Sequence, residues 1–299
     1  MREKAIKFGA NRGLVGILTE PATGVPVKAP AIFLNSGILH HVGASRLYVR
    51  MARALAAQGH PCFRFDFSGI GDSEARRDTL SAAEAAVVEV REAMDLLAAR
   101  KTGGDRFILV GLCSGADMAF KAALLDPRVI GLVQLDPFAY RTRGFYVRHY
   151  LPKLVKPAAW ARFVNVRLDR WKKARRPAER SDAERLEYVA PEYRRIFPPR
   201  EMVAESLKLL LGRGVQMLHV FSDGQTDHIN HASQYEESFR EINFGDRLQV
   251  EYIPNSLHTF TELGDQEVLL RTIAHWAEGT VDRAGAAILA AEPVIGRVS

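Results

Sequence analysis

One cysteine lies in a stretch whose spacing suits nucleophilic chemistry. The stretch Val110–Ala116, which reads VGLCSGA, stands where an apolar run passes into a helical pattern. A nucleophile at such a sharp turn requires small residues two positions before it and two positions after it. Gly111 and Gly115 meet this requirement for Cys113. Ser114 is the alternative nucleophile, but centring the frame there puts a leucine where a small residue is needed. The stretch therefore predicts a thiol nucleophile.

The segments that must position this cysteine alternate between strand and helix. Short apolar runs predict strands at 31–35, 61–67, 107–112, 129–135, 215–221 and 248–253. Helical spacing of apolar residues predicts helices at 47–59, 80–100, 114–125, 231–242 and 262–278. Upstream, 4–9 and 14–19 are predicted to form an antiparallel hairpin around Asn11-Arg12-Gly13. The alternation is typical of a mostly parallel sheet with helices on both faces.

The positive charge of the chain is concentrated in one segment. The net charge is +6, yet residues 141–200 contain 17 Lys and Arg against 6 Asp and Glu. This basic segment interrupts the strand–helix alternation, which resumes after it. We therefore predict a core in two parts, 1–139 and 213–280, a basic helical insertion at 140–212, and a tail at 281–299. No nucleic-acid-binding module accompanies the charge, so nucleic acid is not an expected partner.

The composition argues against several other classes of protein. Hydrophobic residues make up 47% and charged residues 25% of the chain, as in ordinary globular proteins. No apolar run is long enough to span a bilayer, and the opening residues lack the apolar core of a signal peptide. Two cysteines do not make a disulfide framework, so we expect the reducing cytoplasm. His228 and His231 have no clear third ligand, and no phosphate-binding loop is present, so neither metal nor cofactor is predicted.

Two motifs together resemble the α/β-hydrolase superfamily. The G-x-C-x-G stretch around Cys113 is similar to the minority branch that includes dienelactone hydrolases and carrier-linked acyltransferases. Asp66–Ser73, which reads DFSGIGDS, is similar to the Asp-x-x-Gly-x-Gly-x-Ser turn of the same superfamily. The resemblance covers residues 31–278 apart from the insertion. It implies the α/β-hydrolase fold, with a mostly parallel twisted sheet, helices on both faces, and the insertion as a helical lid.

The resemblance also implies the partners of the nucleophile. His258, in the loop after the last predicted strand, is similar to the catalytic histidine of the family. Asp227, in the loop after the preceding strand, is similar to the family's acid, and Asp223 is the alternative. The histidine would take the thiol proton or hold a thiolate as an ion pair, while the acid orients the imidazole.

An oxyanion hole is expected from two backbone N–H groups. One belongs to Ser114, the residue after the nucleophile, and the other comes from the loop after the first parallel strand. In that loop, Ile38 is the expected donor and Gly37 the alternative.

This machinery implies chemistry on an ester or thioester through an acyl-enzyme. The first expectation is a hydrolase. The alternative is an acyl shuttle from carrier-protein or CoA thiols to a thiol or amine, with an acidic carrier or CoA ester at the basic lid. A third possibility is a non-catalytic binding protein. Aromatic residues in the insertion are expected to face the pocket: Trp160, Phe163, Trp171, Tyr188, Tyr193 and Phe197.

Overall fold

An eight-stranded sheet lies at the centre of the protein. The computed structural model describes residues 1–154, 195–225 and 228–281. The strands are β1 (Arg2–Phe8), β2 (Leu14–Glu20), β3 (Ala31–Leu34), β4 (Cys62–Phe65), β5 (Phe107–Leu112), β6 (Val129–Leu135), β7 (Gln216–Ser222) and β8 (Leu248–Ile253). Their order across the sheet is β1-β2-β4-β3-β5-β6-β7-β8. Strand β2 pairs antiparallel with β1 and β4, and the other pairs are parallel. The predicted α/β-hydrolase fold is confirmed.

The helices connect the strands in the predicted alternation. They are α1 (Leu47–Ala57), α2 (Ala82–Ala99), α3 (Ser114–Leu125), α4 (Arg143–Leu154), α5 (Arg200–Gly212), α6 (Gln234–Ser238) and α7 (Leu263–Trp276). Short 3-10 turns cover Ala10–Arg12, Ala44–Arg46 and Asp223–Gln225, and a π turn covers Ala277–Val281. The helix predicted at 231–242 is shorter because Phe239 leaves the helical region, with φ −128° and ψ 46°.

The sheet is apolar on both faces. Ile32 and Leu34 of β3 point into one cluster of buried residues, and Ala31 and Phe33 point into another. This division follows from the strand geometry, in which successive side chains point to opposite faces. Helices α2, α3 and α5 pack on the first face, and α1 and α7 pack on the second. Because the strands from β3 to β8 run parallel, their carboxyl ends meet at one edge of the sheet, and the site lies there.

The predicted insertion is described only at its two ends. At its C-terminal end, α5 packs Val203, Leu207 and Leu210 into the first cluster, so this helix is part of the core packing. Residues 155–194 lie outside the described residues, and with them five of the six predicted lid aromatics. The helical lid and its boundaries therefore stay a prediction. Of the predicted tail, all but Val281 also lies outside the described residues. Among the described helices, none has the length and apolar character needed to cross a membrane.

Candidate functional site

Cys113 occupies the turn between β5 and α3. Its backbone has φ 54° and ψ −118°, a strained conformation for a residue other than glycine. A Cβ on Gly111 would overlap the backbone of Gly115. A Cβ on Gly115 would lie 2.6 Å from the carbonyl oxygens of the β3 end, at residues 34 and 35. The small residues that the sequence pattern requires thus have a steric cause. The frame is centred on Cys113, and Ser114 is the first residue of α3.

His258 is held by a buried carboxylate. It lies in the loop between β8 and α7, and its Nδ1 is 2.6 Å from Oδ2 of Asp136. Asp136 follows β6 and is fully buried. The backbone N–H and the hydroxyl of Ser222 each donate to this carboxylate at 2.7 Å. Because Nδ1 is engaged by Asp136, Nε2 is the ring nitrogen left to interact with Cys113, whose thiol pKa His258 lowers.

The carboxylate that contacts His258 is that of Asp136, which the sequence analysis did not name. Among the described residues Asp223, the sequence-based alternative, binds elsewhere: its carboxylate accepts from the Tyr252 hydroxyl and, at 2.6 Å, from the Asn255 N–H. Asp227, the first choice, lies outside the described residues. The glycine of the predicted acid loop, Gly224, has another role, since a Cβ there would overlap the backbone of His258.

A signal for Asp136 was present in the sequence. This aspartate directly follows the strand predicted at 129–135, which the structure gives as β6. The carboxyl ends of parallel strands meet at one edge of a sheet, so an acid at that position lies near the nucleophile. The family resemblance points instead to the loop after the next strand of the sequence, which contains Asp223 and Asp227. The backbone N–H of Asp136 also donates to the Val220 carbonyl at 2.8 Å, which fixes the acid against β7.

The electrostatics of the site favour a thiolate–imidazolium pair. Burial raises the pKa of the Cys113 thiol, but the hydrogen bond from His258 and the charge of Arg195 lower it, and the net pKa is below the ordinary thiol value. Hydrogen bonds to Asp136 and Cys113 raise the pKa of His258 to about 9. A lowered thiol pKa beside a raised imidazole pKa means that a proton resides on the histidine near neutral pH.

The expected oxyanion donors are backbone N–H groups of Ser114 and of the loop after β3. The backbone N–H of Ser114 contributes to the lowered pKa of the Cys113 thiol. The N–H of Gly37 donates to the Ser114 hydroxyl at 2.7 Å, so this amide is engaged. No hydrogen bond of the Ile38 N–H is seen within the described part of the chain. Of the two amides predicted in this loop, that of Ile38 therefore remains the expected oxyanion donor.

The second sequence motif builds the oxyanion loop. The buried carboxylate of Asp66 accepts from the His41 N–H at 2.5 Å, from the Asn35 amide at 3.2 Å and from the Asp72 N–H at 3.1 Å. The His41 ring lies 2.8 Å from the same carboxylate. Gly71 has a φ of 53°, and a Cβ there would overlap Asp66. The motif thus fixes the loop at residues 35–41 through the hydrogen bonds that the Asp66 carboxylate accepts.

The Asp66 cluster also contains side chains of the kinds that bind metal ions. His41, Asp66 and Asp72 bring their ligand atoms within 4.8 Å of one another, in the described residues. The carboxylate of Asp66 already accepts three N–H donors, which occupy the oxygens a cation would need. We assign the cluster to loop structure and place no metal there.

An apolar cavity opens beside Ser114, the residue after Cys113. Its volume is about 760 Å³, and it lies between the oxyanion loop, the β4–α2 loop and the helices α2 and α3. Leu39, Ile70, Ala86 and Met118 line it, with Ser114 at its edge.

One carboxylate faces the same cavity. Glu89 of α2 is fully buried, and it accepts from the Ser68 N–H at 3.0 Å and from Arg76 at 3.3 Å. The cavity is large enough for a substrate group and has few polar atoms to hold one.

The second cysteine is structural. Cys62 is fully buried in β4, and its thiol donates to the His60 carbonyl at 3.2 Å. Burial raises its pKa well above the ordinary thiol value, so it remains a neutral thiol.

Solved structures share this architecture. The chain is similar to a dienelactone hydrolase from Anabaena variabilis, with 13% identity, a TM-score of 0.55, and coverage of 93% of this chain and 97% of the other. It is also similar to a serine hydrolase without a lid from Xanthomonas campestris, with 16% identity, a TM-score of 0.52, and coverage of 93% of each chain. At these identities the likeness shows the fold.

Sequence comparisons give the family. A search of curated proteins finds no match. The family model described as serine aminopeptidase, S33, matches residues 28–210, which is more than half of the chain. The chain therefore belongs to the serine aminopeptidase S33 family and is an α/β-hydrolase enzyme.

Proposed function

We propose that the protein hydrolyses esters or thioesters through an acyl-enzyme on Cys113. The observation that carries this proposal is the grouping of Cys113, His258 and Asp136 at the strand-to-helix turn of a hydrolase fold, in which His258 lowers the pKa of the Cys113 thiol and is hydrogen-bonded to Asp136. A nucleophile, a base within hydrogen-bonding reach and a group that orients the base are the parts that covalent catalysis requires.

In the first half of the reaction, the thiolate of Cys113 attacks the carbonyl carbon of the substrate. The carbonyl oxygen becomes an oxyanion, which the N–H groups of Ser114 and Ile38 stabilise. The protonated Nε2 of His258 then gives its proton to the leaving alcohol or thiol as the bond to it breaks. Asp136 remains ionised and keeps the imidazole in the orientation and tautomer that this transfer needs.

In the second half, water releases the acyl group. His258, now neutral, takes a proton from water as the water oxygen attacks the thioester carbonyl of the acyl-enzyme. The tetrahedral intermediate collapses, the carbon–sulfur bond breaks, and the thiolate and imidazolium are restored. The net reaction adds water across the ester or thioester bond.

The cavity beside the nucleophile indicates the kind of acyl group. Its walls are formed mainly by aliphatic side chains, and the cavity reaches Ser114 at the start of α3. An apolar chain buried there gains roughly 0.8 kcal/mol for each methylene removed from water. We therefore propose an apolar acyl group as the substrate portion that this cavity receives.

A second candidate function is acyl transfer to a thiol of an acidic carrier or of CoA. The observation that favours it is a smaller cavity of about 300 Å³ at the ends of the insertion, whose lining includes four arginines. They are Arg141, Arg143, Arg200 and Arg240, and Glu237 is the carboxylate among the lining residues. A basic recess of this kind suits an anionic group on the acyl donor or acceptor.

The test is the mass of the intact protein after brief exposure to acyl thioesters of two to twelve carbons. Wild type is compared with Cys113→Ala and Ser114→Ala. We expect an adduct of the acyl mass in wild type and in Ser114→Ala, and none in Cys113→Ala. An adduct that depends on Ser114 and not on Cys113 contradicts the proposed nucleophile.

The fate of the adduct separates the two candidate functions. Discharge by water alone, at the rate of steady-state turnover, supports hydrolysis. Discharge that is slow in water and fast with added CoA or pantetheine supports transfer.

A further inference from the structure

Arg195 makes an unusual set of contacts beside the site. Its Nε lies 2.7 Å from one carboxylate oxygen of Asp117, and its Nη2 contacts the other. Its Nη1 donates at 2.8 Å to the backbone carbonyl of Asp136. The guanidinium carbon lies 5.1 Å from the ring centre of Phe138 and 5.0 Å from that of Phe197. The side chain is 11% exposed, so these contacts are shielded from water.

Arg195 joins two residues that each contact a residue of the proposed catalytic site. Asp117 lies in the first turn of α3, where its N–H donates to the Cys113 carbonyl at 3.2 Å. Asp136 holds His258 through its side chain, and Arg195 holds Asp136 through its backbone. Both Cys113 and Asp136 have positive φ values, of 54° and 50°. Such conformations persist only where surrounding contacts enforce them.

Arg195 is also a cation near the sulfur. The other charged or titratable groups that act on Cys113 are His258 from the β8–α7 loop and Tyr48 from α1. Asp117 of α3 is the carboxylate partner of Arg195, and Asp136 is the carboxylate partner of His258. Burial raises the pKa of the Asp117 carboxyl, and the guanidinium offsets this rise only in part.

We propose that Arg195 is a positioning residue that couples the end of the insertion to the nucleophile and the acid. It fixes the backbone of Asp136 and the first turn of α3 through one rigid guanidinium, and it adds positive charge beside the thiolate. A guanidinium suits this task because its planar fork binds a carboxylate at two points and stacks on aromatic rings. The proposal rests on the proposed function, since it assumes that Cys113 and Asp136 act in one reaction.

The test measures the pH dependence of Cys113 alkylation by iodoacetamide, with peptide mapping to identify the modified cysteine. Four proteins are compared: wild type, Arg195→Lys, Asp117→Asn, and the double variant Arg195→Met/Asp117→Asn. The double variant removes both charges, so no carboxylate is left buried without a partner. Near-UV circular dichroism and thermal melting establish that each variant is folded. Turnover is measured on the acyl ester that wild type uses best.

We expect the midpoint of the alkylation profile to rise by about one pH unit in the double variant, which makes alkylation about tenfold slower at pH values below the wild-type midpoint. Asp117→Asn leaves Arg195 in place and should keep the wild-type alkylation profile. Arg195→Lys keeps the positive charge but loses the planar group that binds Asp117 at two points. Its alkylation profile should therefore stay near wild type, while its kcat falls. If the double variant does not fold, Arg195→Lys still decides the matter, because an unchanged kcat in that variant overturns the proposal.

Where the double variant folds, either of two further results overturns the proposal. One is a double variant that matches wild type in both alkylation profile and kcat. The other is an Asp117→Asn variant that shifts the alkylation profile as far as the double variant does. Alkylation needs no substrate, so it reports on Arg195 even if wild type forms no acyl-enzyme. That last outcome would count against the proposed function only.

Discussion

Nδ1 of His258 lies 2.6 Å from Oδ2 of Asp136, although the two residues are 122 positions apart in the sequence. The β6 and β7 strands make this contact possible by running parallel, so that both carboxyl ends face the loop that carries His258. Ser222, the last residue of β7, completes the arrangement by donating two hydrogen bonds to the same carboxylate.

Replacing Asp136 by Asn should abolish most of the activity. An amide can place its N–H toward Nδ1 and thereby stabilise the wrong imidazole tautomer, which in related arrangements lowers kcat by about 10⁴. We expect a loss of at least about a thousandfold in kcat for Asp136→Asn. The matched control is Asp223→Asn, on the next loop, which should change kcat by less than about fivefold because Asp223 binds Tyr252 and Asn255 instead. Equal losses in the two variants would refute the assignment.

The pH dependence of kcat/KM should have two limits. The thiol pKa is lowered and the His258 pKa is raised to about 9, so the ion pair exists between these two values. Activity should rise with pH as the thiol loses its proton, and it should fall above about pH 9 as His258 loses the proton that it gives to the leaving group. In Asp136→Asn the upper limit should move down, toward the ordinary pKa of histidine. An upper limit that does not move would separate Asp136 from the titration of His258.

The fold and the strand-to-helix turn at Cys113 could be predicted because their signals are local. The flanking glycines of Cys113 are required by overlaps with backbone atoms nearby, so the steric rule is visible in five consecutive residues. The strands β5, β6 and β8 begin and end at the predicted residues.

The sequence places Asp136 at a strand end but could not single it out, because the fold decides which of several strand ends lies opposite His258. Asp136 follows β6 and Asp223 follows β7, and Asp227 comes four positions later in the sequence. Only the three-dimensional contact of Asp136 with His258 distinguishes it. Arg195 belongs to no sequence motif. The residues that it contacts, Asp117 and Asp136, lie 78 and 59 positions away from it in the sequence.

Filling the apolar cavity should shorten the preferred acyl chain. Met118 of α3 lines the cavity next to Ser114, and a tryptophan there would occupy part of its volume. We expect Met118→Trp to lower kcat/KM for eight-carbon esters by about tenfold or more, which is the loss of roughly two buried methylenes, while acetyl esters change little. Lys121→Trp adds the same ring on the exposed side of the same helix and should leave the chain-length profile unchanged. Parallel losses at every chain length would argue against this cavity as the acyl site.

His219 should make the folded state sensitive to acid. It is fully buried in β7, neither ring nitrogen has a hydrogen-bond partner in the described residues, and burial lowers its pKa to about 3. The unfolded chain therefore binds a proton below about pH 6.5 that the folded chain binds only near pH 3, so stability falls as the pH drops through this window. The contribution at the low end is on the order of 4 kcal/mol.

Urea unfolding between pH 7 and pH 4 measures this effect. The variant His219→Phe should lose less stability over that range than wild type, while His275→Gln, at an exposed position, should follow the wild-type slope. If His219→Phe and wild type lose stability in parallel, another group is responsible for the acid sensitivity.

The burial of Cys62 has a consequence for oxidation. A thiol of lowered pKa that solvent reaches, as at Cys113, is the kind that peroxide converts first to a sulfenic acid. A neighbouring thiol normally traps that species as a disulfide, but the other cysteine of the chain is fully enclosed in β4. The protein therefore has no internal means of rescuing its oxidised sulfur. Recovery must come from an external thiol, and without one the sulfur proceeds to irreversible sulfinic and sulfonic acids.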